Sequence, residues 1–123
     1  MPEKPEVEAP DGPPPTELEI TDLTVGDGAE AGPGDQVSVH YVGVAHSTGE
    51  EFDASYNRGA PLDFPLGVGM VIAGWDEGIA GMRVGGRRRL TIPAHKAYGD
   101  RGAGGVIKPG ATLVFVVDLV GVR

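Results

Sequence analysis

The sequence contains no cysteine, no long hydrophobic segment and almost no positive charge near its start. Without cysteine the chain has no disulfide bond, thiolate metal site or thiol nucleophile, and this composition is typical of cytosolic proteins. The longest uninterrupted apolar run, residues 113–117, is much shorter than the roughly 20 residues of a membrane-spanning helix. No secretory signal is visible in the acidic, proline-rich first ten residues. We therefore expect a cytoplasmic protein without a membrane anchor.

The negative charge lies almost entirely in the first quarter of the chain. Residues 1–30 hold nine acidic residues and one lysine, which accounts for the formal net charge of −8. Residues 31–123 hold nine acidic and nine basic residues and are therefore neutral. A neutral body exerts no long-range attraction on nucleic acid or anionic lipid. We expect neither as a partner.

Proline and acidic residues dominate the start of the chain. Six of the first 15 residues are proline, and Val7 is the one strongly hydrophobic side chain among those that follow Met1. Such a segment buries too little apolar surface to offset the entropy lost on ordering. We predict a disordered tail at residues 1–15 and a single folded domain at residues 16–123.

The folded part shows mostly strand periodicity, with Gly- and Pro-rich turns between the strands. Strands are predicted at residues 16–23, 36–45, 62–66, 87–93 and 111–122. One short helix is predicted at residues 73–82, where apolar side chains recur at helical spacing. Five strands and one helix indicate an α+β domain with an antiparallel sheet.

The predicted helix combines poor helix formers with the largest side chain of the protein. Gly74 and Gly78 each cost about 1 kcal/mol relative to alanine in a helix. Glycines also permit a close approach between the helix and the sheet. Trp75 either fills an ordinary core between helix and sheet or forms the floor of a cavity, and the pattern leaves both interpretations open.

No standard catalytic or cofactor motif is complete. The stretch GVGMVI at residues 67–72 has isoleucine where a dinucleotide-binding fingerprint needs its third glycine, and no G-x-S-x-G surrounds a serine. His40 and His46 share a predicted strand but lie roughly 20 Å apart, too far to share a metal. Asp53 and Asp63 suggest the paired carboxylates of glycosidases only weakly. Scattered aromatic and aliphatic residues with a few polar groups instead indicate an apolar ligand pocket without metal or cofactor.

The chain resembles the FKBP-type peptidyl-prolyl cis-trans isomerases in four stretches: VHYVG, EFDASYNRGAPLDFPLG, VIAGWDEGIAGMRVGGRRRLTIPAHKAYGDRG and IKPGATLVFVVDLVGV. The resemblance covers residues 16–123 and is to a single-domain, bacterial form. It implies a five-stranded antiparallel sheet wrapped around one short helix. It also implies a protein that accelerates rotation about X-Pro bonds in polypeptides, assists protein folding and binds the macrolides tacrolimus and rapamycin. Because nothing in the sequence indicates an oligomer, we expect a monomer.

The resemblance also assigns roles to individual residues. It implies a catalytic set of Tyr41, Phe52, Asp53, Trp75 and Tyr98. It implies a substrate-binding set of Tyr41, Phe52, Asp53, Arg58, Leu62, Phe64, Val71, Ile72, Trp75, Tyr98, Val106, Ile107 and Phe115. Within these sets Trp75 is the expected pocket floor, and the backbone N–H of Ile72 and the hydroxyl of Tyr98 are the expected donors to ligand carbonyls.

Two positions depart from the best-known eukaryotic members of that family. Leu62 stands where they have an aromatic residue, and Ala103 stands where some have histidine. Both changes bear on substrate preference and macrolide affinity. An alternative interpretation is a peptide- and macrolide-binding chaperone module whose isomerase activity is incidental.

Overall fold

A computed structural model describes residues 4–7, 12–102 and 107–123. Within these ranges the strands are β1 (Glu19–Thr24), β2 (Gln36–Ala45), β3 (Glu51–Ala54), β4 (Leu62–Pro65), β5 (Arg87–Ile92) and β6 (Leu113–Val122). The α-helix is α1 (Ala73–Ile79), and Ser55–Arg58 and Ala94–Lys96 are short 3₁₀ helices. The predicted α+β class is confirmed, with six strands instead of five. No helix of these ranges is long and apolar enough to cross a membrane.

The six strands form one antiparallel sheet in the order β1-β5-β6-β2-β3, and β4 pairs with the first half of β2. The long strands β2 and β6 lie side by side at the centre, with Tyr41 opposite Val117 and Gly43 opposite Phe115. Strand β3 pairs with the second half of β2. Residues of β2, β3 and β6, which are distant in sequence, therefore lie next to one another at the centre of the sheet.

Strand β3 is the element that the sequence pattern did not predict. Its sequence, EFDA, has four residues, and only the last is buried. So short a segment shows no strand periodicity of its own, and its strand conformation depends on pairing with β2. The helix is also shorter than predicted, because the chain leaves the helix at Ala80 and Gly81 adopts a positive φ of 90°.

The two glycines of α1 allow the helix to lie unusually close to strand β5. A β-carbon on Gly74 would be 2.5 Å from Cγ2 of Ile92, and one on Gly78 would be 2.7 Å from Cδ2 of Leu90. Any larger residue would collide with the sheet at these positions. The low helix propensity of the sequence is thus tolerated because packing on the sheet stabilises the helix.

The sheet has two faces with different contents. Side chains at alternate positions, such as Val39, Tyr41 and Phe115, face α1 and belong to the main hydrophobic core. We call this side the inner face. The opposite side, the outer face, carries a smaller buried cluster formed by Val42, Val44, Ala54 and Val114.

The outer face also holds a buried polar network. His40 is 1% exposed; its Nδ1 lies 2.8 Å from Oγ of Ser55, and its ring stacks on that of Tyr56 at 4.5 Å. The Tyr56 hydroxyl donates to Asp118, which also accepts from Nε of Arg87 at 2.7 Å. We call these five residues the outer-face network. It joins β2, β5 and β6 to the 3₁₀ helix that follows β3.

Residues 4–7 contact the domain on its outer face. Lys4 Nζ lies 2.9 Å from the carboxylate of Glu51 and donates to Oδ1 of Asn57 at 3.1 Å, while Val7 packs against the outer-face cluster. These four residues therefore contact the folded domain. The boundary at Thr16 stays a prediction.

Candidate active site

A cavity of about 190 Å³ opens between the inner face, the start of α1 and the loop before the helix. Its wall is mainly aromatic and aliphatic, with one carboxylate and two phenols. The lining residues are Tyr41, Phe52, Asp53, Leu62, Met70, Val71, Ile72, Trp75, Tyr98 and Phe115. The structure thus places nine residues of the sequence-derived set around one cavity.

The side chain of Trp75 belongs to both the core and the cavity wall. It is 4% exposed, and its indole meets the rings of Tyr41 and Phe115 edge to face at 4.9 and 5.3 Å. Phe64 lies 5.6 Å from it on another side. Such aromatic pairs are stabilising in addition to the area that they bury. Trp75 is therefore held in place by aromatic contacts; it packs in the core and also lines the cavity, and its role as a floor for a ligand stays a prediction.

A glycine makes room for the aromatic wall at β3 and β6. The rings of Phe52 and Phe115 meet at 5.5 Å and 89° directly above Gly43 of β2. A β-carbon at Gly43 would be 2.6 Å from Cζ of Phe52 and 2.7 Å from Cε1 of Phe115. Gly43 was not predicted as a site residue. A glycine inside a strand was the available signal, since it often marks a close approach.

Three side chains form a closed polar group at the rim. The Tyr41 hydroxyl donates to Oδ2 of Asp53 at 2.5 Å, and Arg58 donates to Oδ1 of Asp53 and to the Tyr41 oxygen at 3.0 Å each. Burial, and after it the hydrogen bond to Asp53, raises the pKa of Tyr41 above its usual range. The phenol is therefore neutral at physiological pH, and the carboxylate holds it in one orientation.

Two hydrogen-bond donors in the cavity wall remain free for a ligand. The Tyr98 hydroxyl and the Ile72 backbone N–H make no hydrogen bond within the described part of the chain. Burial, and after it the negative charge of Asp53, raises the pKa of Tyr98, so its hydroxyl keeps its proton. Tyr98 is 40% exposed at the mouth of the cavity. Both donors are thus accessible to a carbonyl oxygen.

The loop before α1 is held by a helix residue. The carboxylate of Asp76 accepts hydrogen bonds from the backbone N–H groups of Gly67 and Gly69 at 2.8 and 3.0 Å. Both glycines have positive φ, 80° and 77°. This anchoring places Met70 and Val71 over the cavity. Met70 was not predicted as a site residue; it is 69% exposed, and an apolar residue directly after the turn glycine Gly69 was the signal.

Four residues of the sequence-derived binding set do not line the cavity in the described structure. Arg58 acts through Asp53 and Tyr41, and Phe64 lies behind Trp75. Ile107 lines a neighbouring cavity. Val106, like Ala103, lies outside the described residues.

A larger cavity of about 510 Å³ lies elsewhere, beside His40 and Asp118. The carboxylate of Asp118 in this cavity already accepts hydrogen bonds from Tyr56 and Arg87. Ser55 pairs with Nδ1 of His40, and Nε2 of the same ring is buried without a hydrogen-bond partner within the described residues. The smaller cavity on the inner face combines a rigid apolar wall with unpaired donors. It is therefore the better candidate for a binding site.

The chain matches the model of one enzyme family, the FKBP-type peptidyl-prolyl cis-trans isomerases, over residues 28–120. These enzymes interconvert the cis and trans forms of X-Pro peptide bonds. The chain belongs to the FKBP family. The family and the isomerase activity implied by the sequence resemblance are thus confirmed.

Named relatives agree with this assignment. The chain is 68% identical over 121 residues to "FK506-binding protein" of Streptomyces anulatus, covering 98% of both chains. It is 57% identical over 94 residues to "Peptidyl-prolyl cis-trans isomerase FPR2" of Saccharomyces cerevisiae, covering 76% of this chain and 70% of that protein. The crystal structure of AtFKBP13 superposes with a TM-score of 0.81 at 45% identity, covering 89% of this chain and 96% of that one.

Proposed function

We propose that isomerisation takes place in the inner-face cavity, with Tyr41, Phe52, Asp53, Trp75 and Tyr98 as the residues that act on the substrate. The main support for this proposal is that two unpaired hydrogen-bond donors, the Tyr98 hydroxyl and the Ile72 N–H, lie beside the rigid indole of Trp75. In this proposal the proline ring packs on Trp75. The two donors hold the carbonyl groups of the substrate.

The chemistry needed is modest, because no covalent bond is formed or broken. Rotation about an X-Pro bond faces a barrier near that of amide isomerisation, about 18–20 kcal/mol, which arises from conjugation of nitrogen with the carbonyl. A twisted amide has lost this conjugation and is less dipolar than a planar one. An apolar cavity therefore stabilises the twisted form relative to the planar forms. Lowering the barrier by about 5 kcal/mol would accelerate rotation several thousandfold.

The rim group has an orienting role in this proposal. Asp53 accepts from both Tyr41 and Arg58, so its oxygens are directed by the protein and its charge is compensated. An ionised carboxylate beside an apolar cavity needs such partners. The group keeps the Tyr41 phenol in place as part of the wall. No proton transfer is required of it.

The test compares Tyr98→Phe with the unaltered protein in a protease-free assay of a short X-Pro peptide. We expect KM for the peptide to rise several-fold while the free energy of unfolding changes by less than about 0.5 kcal/mol, as at an ordinary surface position. The catalysed rate should be flat from about pH 6 to 8, because both tyrosine pKa values lie above the usual value of about 10. A bell-shaped profile, or unfolding without loss of affinity, would overturn the proposal.

The cavity also supports binding of macrolides and apolar residues before proline. The relative from Streptomyces anulatus is named for binding FK506, which is tacrolimus. We expect tacrolimus and rapamycin to compete with the peptide and to quench the fluorescence of Trp75. Leucine or phenylalanine before proline should be preferred, because Phe52 and Leu62 offer apolar contact. Tight macrolide binding without rate enhancement would favour the binding-module alternative.

We also propose that the protein assists folding as a cytoplasmic monomer. The cysteine-free composition agrees with a reducing compartment. Gel filtration with light scattering tests the monomeric state, and cell fractionation tests the location. Acceleration of a proline-limited refolding reaction tests the folding role, since that step takes tens to hundreds of seconds unaided.

A further inference from the structure

A second cavity lies beside the candidate active site and shares the side chain of Phe52 with it. It has a volume of about 350 Å³, almost twice that of the first. One wall is the loop between β2 and β3, and the other is the segment that leads into β6. The lining residues are Ala45, Ser47, Thr48, Glu50, Glu51, Phe52, Ile107, Lys108, Ala111 and Leu113.

The wall formed by the β2–β3 loop is fixed by backbone hydrogen bonds. Ala45 N–H donates to the carbonyl of Glu50 at 3.0 Å, and Gly49 N–H donates to that of Ala45 at 2.8 Å. His46 N–H donates across the cavity end to the carbonyl of Thr112 at 3.0 Å. The loop is therefore bonded within itself and to the opposite wall, and these bonds fix the shape of the cavity.

The interior of the second cavity is apolar. Leu113 is fully buried, Ile107 is 7% exposed, and Phe52 separates this cavity from the active-site cavity. An aliphatic or aromatic side chain placed here would leave water. Ala45 and Ala111 at the edges are small enough to admit one.

The rim of the second cavity is polar and open. The Ser47 hydroxyl, the Glu50 carboxylate and the Lys108 ammonium group make no side-chain hydrogen bond or ion pair within the described residues. Such groups can bond the N–H and C=O groups of an extended polypeptide. An apolar interior with a polar rim suits a peptide segment better than a free apolar molecule.

The small size of the active-site cavity also indicates that a polypeptide substrate extends beyond it. Ligand sites usually enclose about 300–1,000 Å³, whereas the inner-face cavity has about 190 Å³. It accommodates little more than the proline and its neighbour. The two cavities together fall within the usual range, and they meet at Phe52.

We propose that the second cavity is an extended substrate subsite. It binds the part of the polypeptide that flanks the X-Pro bond, with an apolar side chain inside and the backbone along the polar rim. This inference rests on the proposed active site. The subsite would make the enzyme prefer an apolar residue a short distance from proline, in addition to its preference for the residue directly before proline.

The test uses peptides of two lengths with the same X-Pro core. One extended peptide adds three residues with a central leucine before the core, a second adds them after it, and matched peptides carry serine in place of leucine. We expect one leucine peptide to exceed the short peptide and its serine match in kcat/KM by about tenfold, equivalent to about 1.4 kcal/mol. Equal kcat/KM for all peptides would overturn the subsite.

A filling variant locates the effect. Ala111→Phe should remove the advantage of the leucine peptide while leaving the short-peptide rate within twofold. Ala29→Phe, an exposed position outside both cavities, is the matched control and should keep the advantage. An advantage that survives Ala111→Phe would place the contact elsewhere and overturn the proposal. No activity on the short peptide with the unaltered protein would instead refute the active site.

A titration of the unaltered protein followed by NMR decides the matter if Ala111→Phe does not fold. The extended leucine peptide should shift the amide signals of Ser47, Thr48 and Lys108, and the short peptide should leave them in place. Shifts confined to the active-site cavity with both peptides would overturn the subsite.

Discussion

The inner and outer faces of the sheet bury side chains in different ways. The inner face buries rings, and two hydrogen-bond donors at its cavity, the Tyr98 hydroxyl and the Ile72 N–H, have no partner within the described residues. The outer face buries His40, Ser55 and Asp118, and it pairs each of them with another side chain, although Nε2 of His40 has no hydrogen-bond partner within the described residues. Both faces come from the same strands, because neighbouring residues point to opposite sides.

The difference separates binding from stability. A group that is already paired with the protein has little to offer a ligand, whereas an unpaired donor in a rigid apolar wall can hold a carbonyl. The outer-face network therefore joins strands, and we propose that the inner-face cavity binds substrate. Substitutions on the two faces should consequently differ in what they damage.

Removing the floor of the cavity should have the largest effect. Trp75→Ala deletes a buried ring that contacts Tyr41, Phe64 and Phe115, and changes of this kind cost about 3–5 kcal/mol. We expect that loss of stability in denaturant unfolding, together with loss of isomerase activity. Trp75→Phe is the control and should lose less of both. An active, fully stable Trp75→Ala protein would contradict the proposed role of the inner face in binding.

Breaking the outer-face network should harm stability alone. Asp118 is 7% exposed as a side chain, and its loss removes the carboxylate that accepts hydrogen bonds from both Arg87 and Tyr56. Breaking a buried ion pair costs about 3–5 kcal/mol; because Arg87 reaches solvent, we expect about 2–3 kcal/mol for Asp118→Ala.

The rate on a short peptide serves as the second measurement for Asp118→Ala. It should stay within twofold of the unaltered protein under conditions where both are folded. Glu30→Ala, which removes an exposed ion pair with Arg83, is the control and should cost no more than about 1 kcal/mol. A large fall in kcat/KM for Asp118→Ala would show that the outer face acts on the cavity.

The inner face was predictable from the sequence to a greater extent than the outer face. Alternation of apolar residues in residues 36–45 and 111–122 indicates which side chains face the core, and the family resemblance named the cavity residues. The outer-face network was not predictable. His40 and Asp118 stand at positions that alternation assigns to solvent, and they are buried because the segment after β3 folds over them.

Elements stabilised by distant contacts were also missed. Strand β3 depends on pairing with β2, and Gly43 is needed because two rings from other strands meet above it. Neither cause is present in the local sequence. Met70 was missed for a similar reason, because the anchoring of its loop by Asp76 is a contact across several residues.

The close packing of α1 can be tested by filling a glycine. Gly74→Ala gains about 1 kcal/mol of helix propensity, but its methyl group meets Cγ2 of Ile92 at 2.5 Å. Overpacking a core costs about 1–3 kcal/mol, so we expect a net loss of about 1–2 kcal/mol in denaturant unfolding. Ala73→Gly, at the exposed start of the helix, measures propensity alone. A stabilised Gly74→Ala protein would show that helix and sheet separate easily.

The contact of residues 4–7 with the outer face should give the smallest effect. An exposed ion pair such as Lys4–Glu51 contributes about 0–1 kcal/mol, and partial burial of Val7 is offset by the entropy of ordering, about 1–2 kcal/mol per residue. Deleting residues 1–7 should therefore lower the free energy of unfolding by only about 0.5–1 kcal/mol.

The deletion also tests whether the two faces are independent. Glu51, which holds Lys4, precedes Phe52 and Asp53 in β3, so the segment touches the back of the strand that carries two cavity residues. Because β3 is also held by its pairing with β2, we expect kcat/KM on a short peptide to stay within twofold. Val7→Ser, which keeps Lys4, should reproduce about half of the stability loss. A several-fold fall in kcat/KM with little loss of stability would mean that contacts on the outer face position the cavity residues of β3. Binding and stability would then not be separate at this strand.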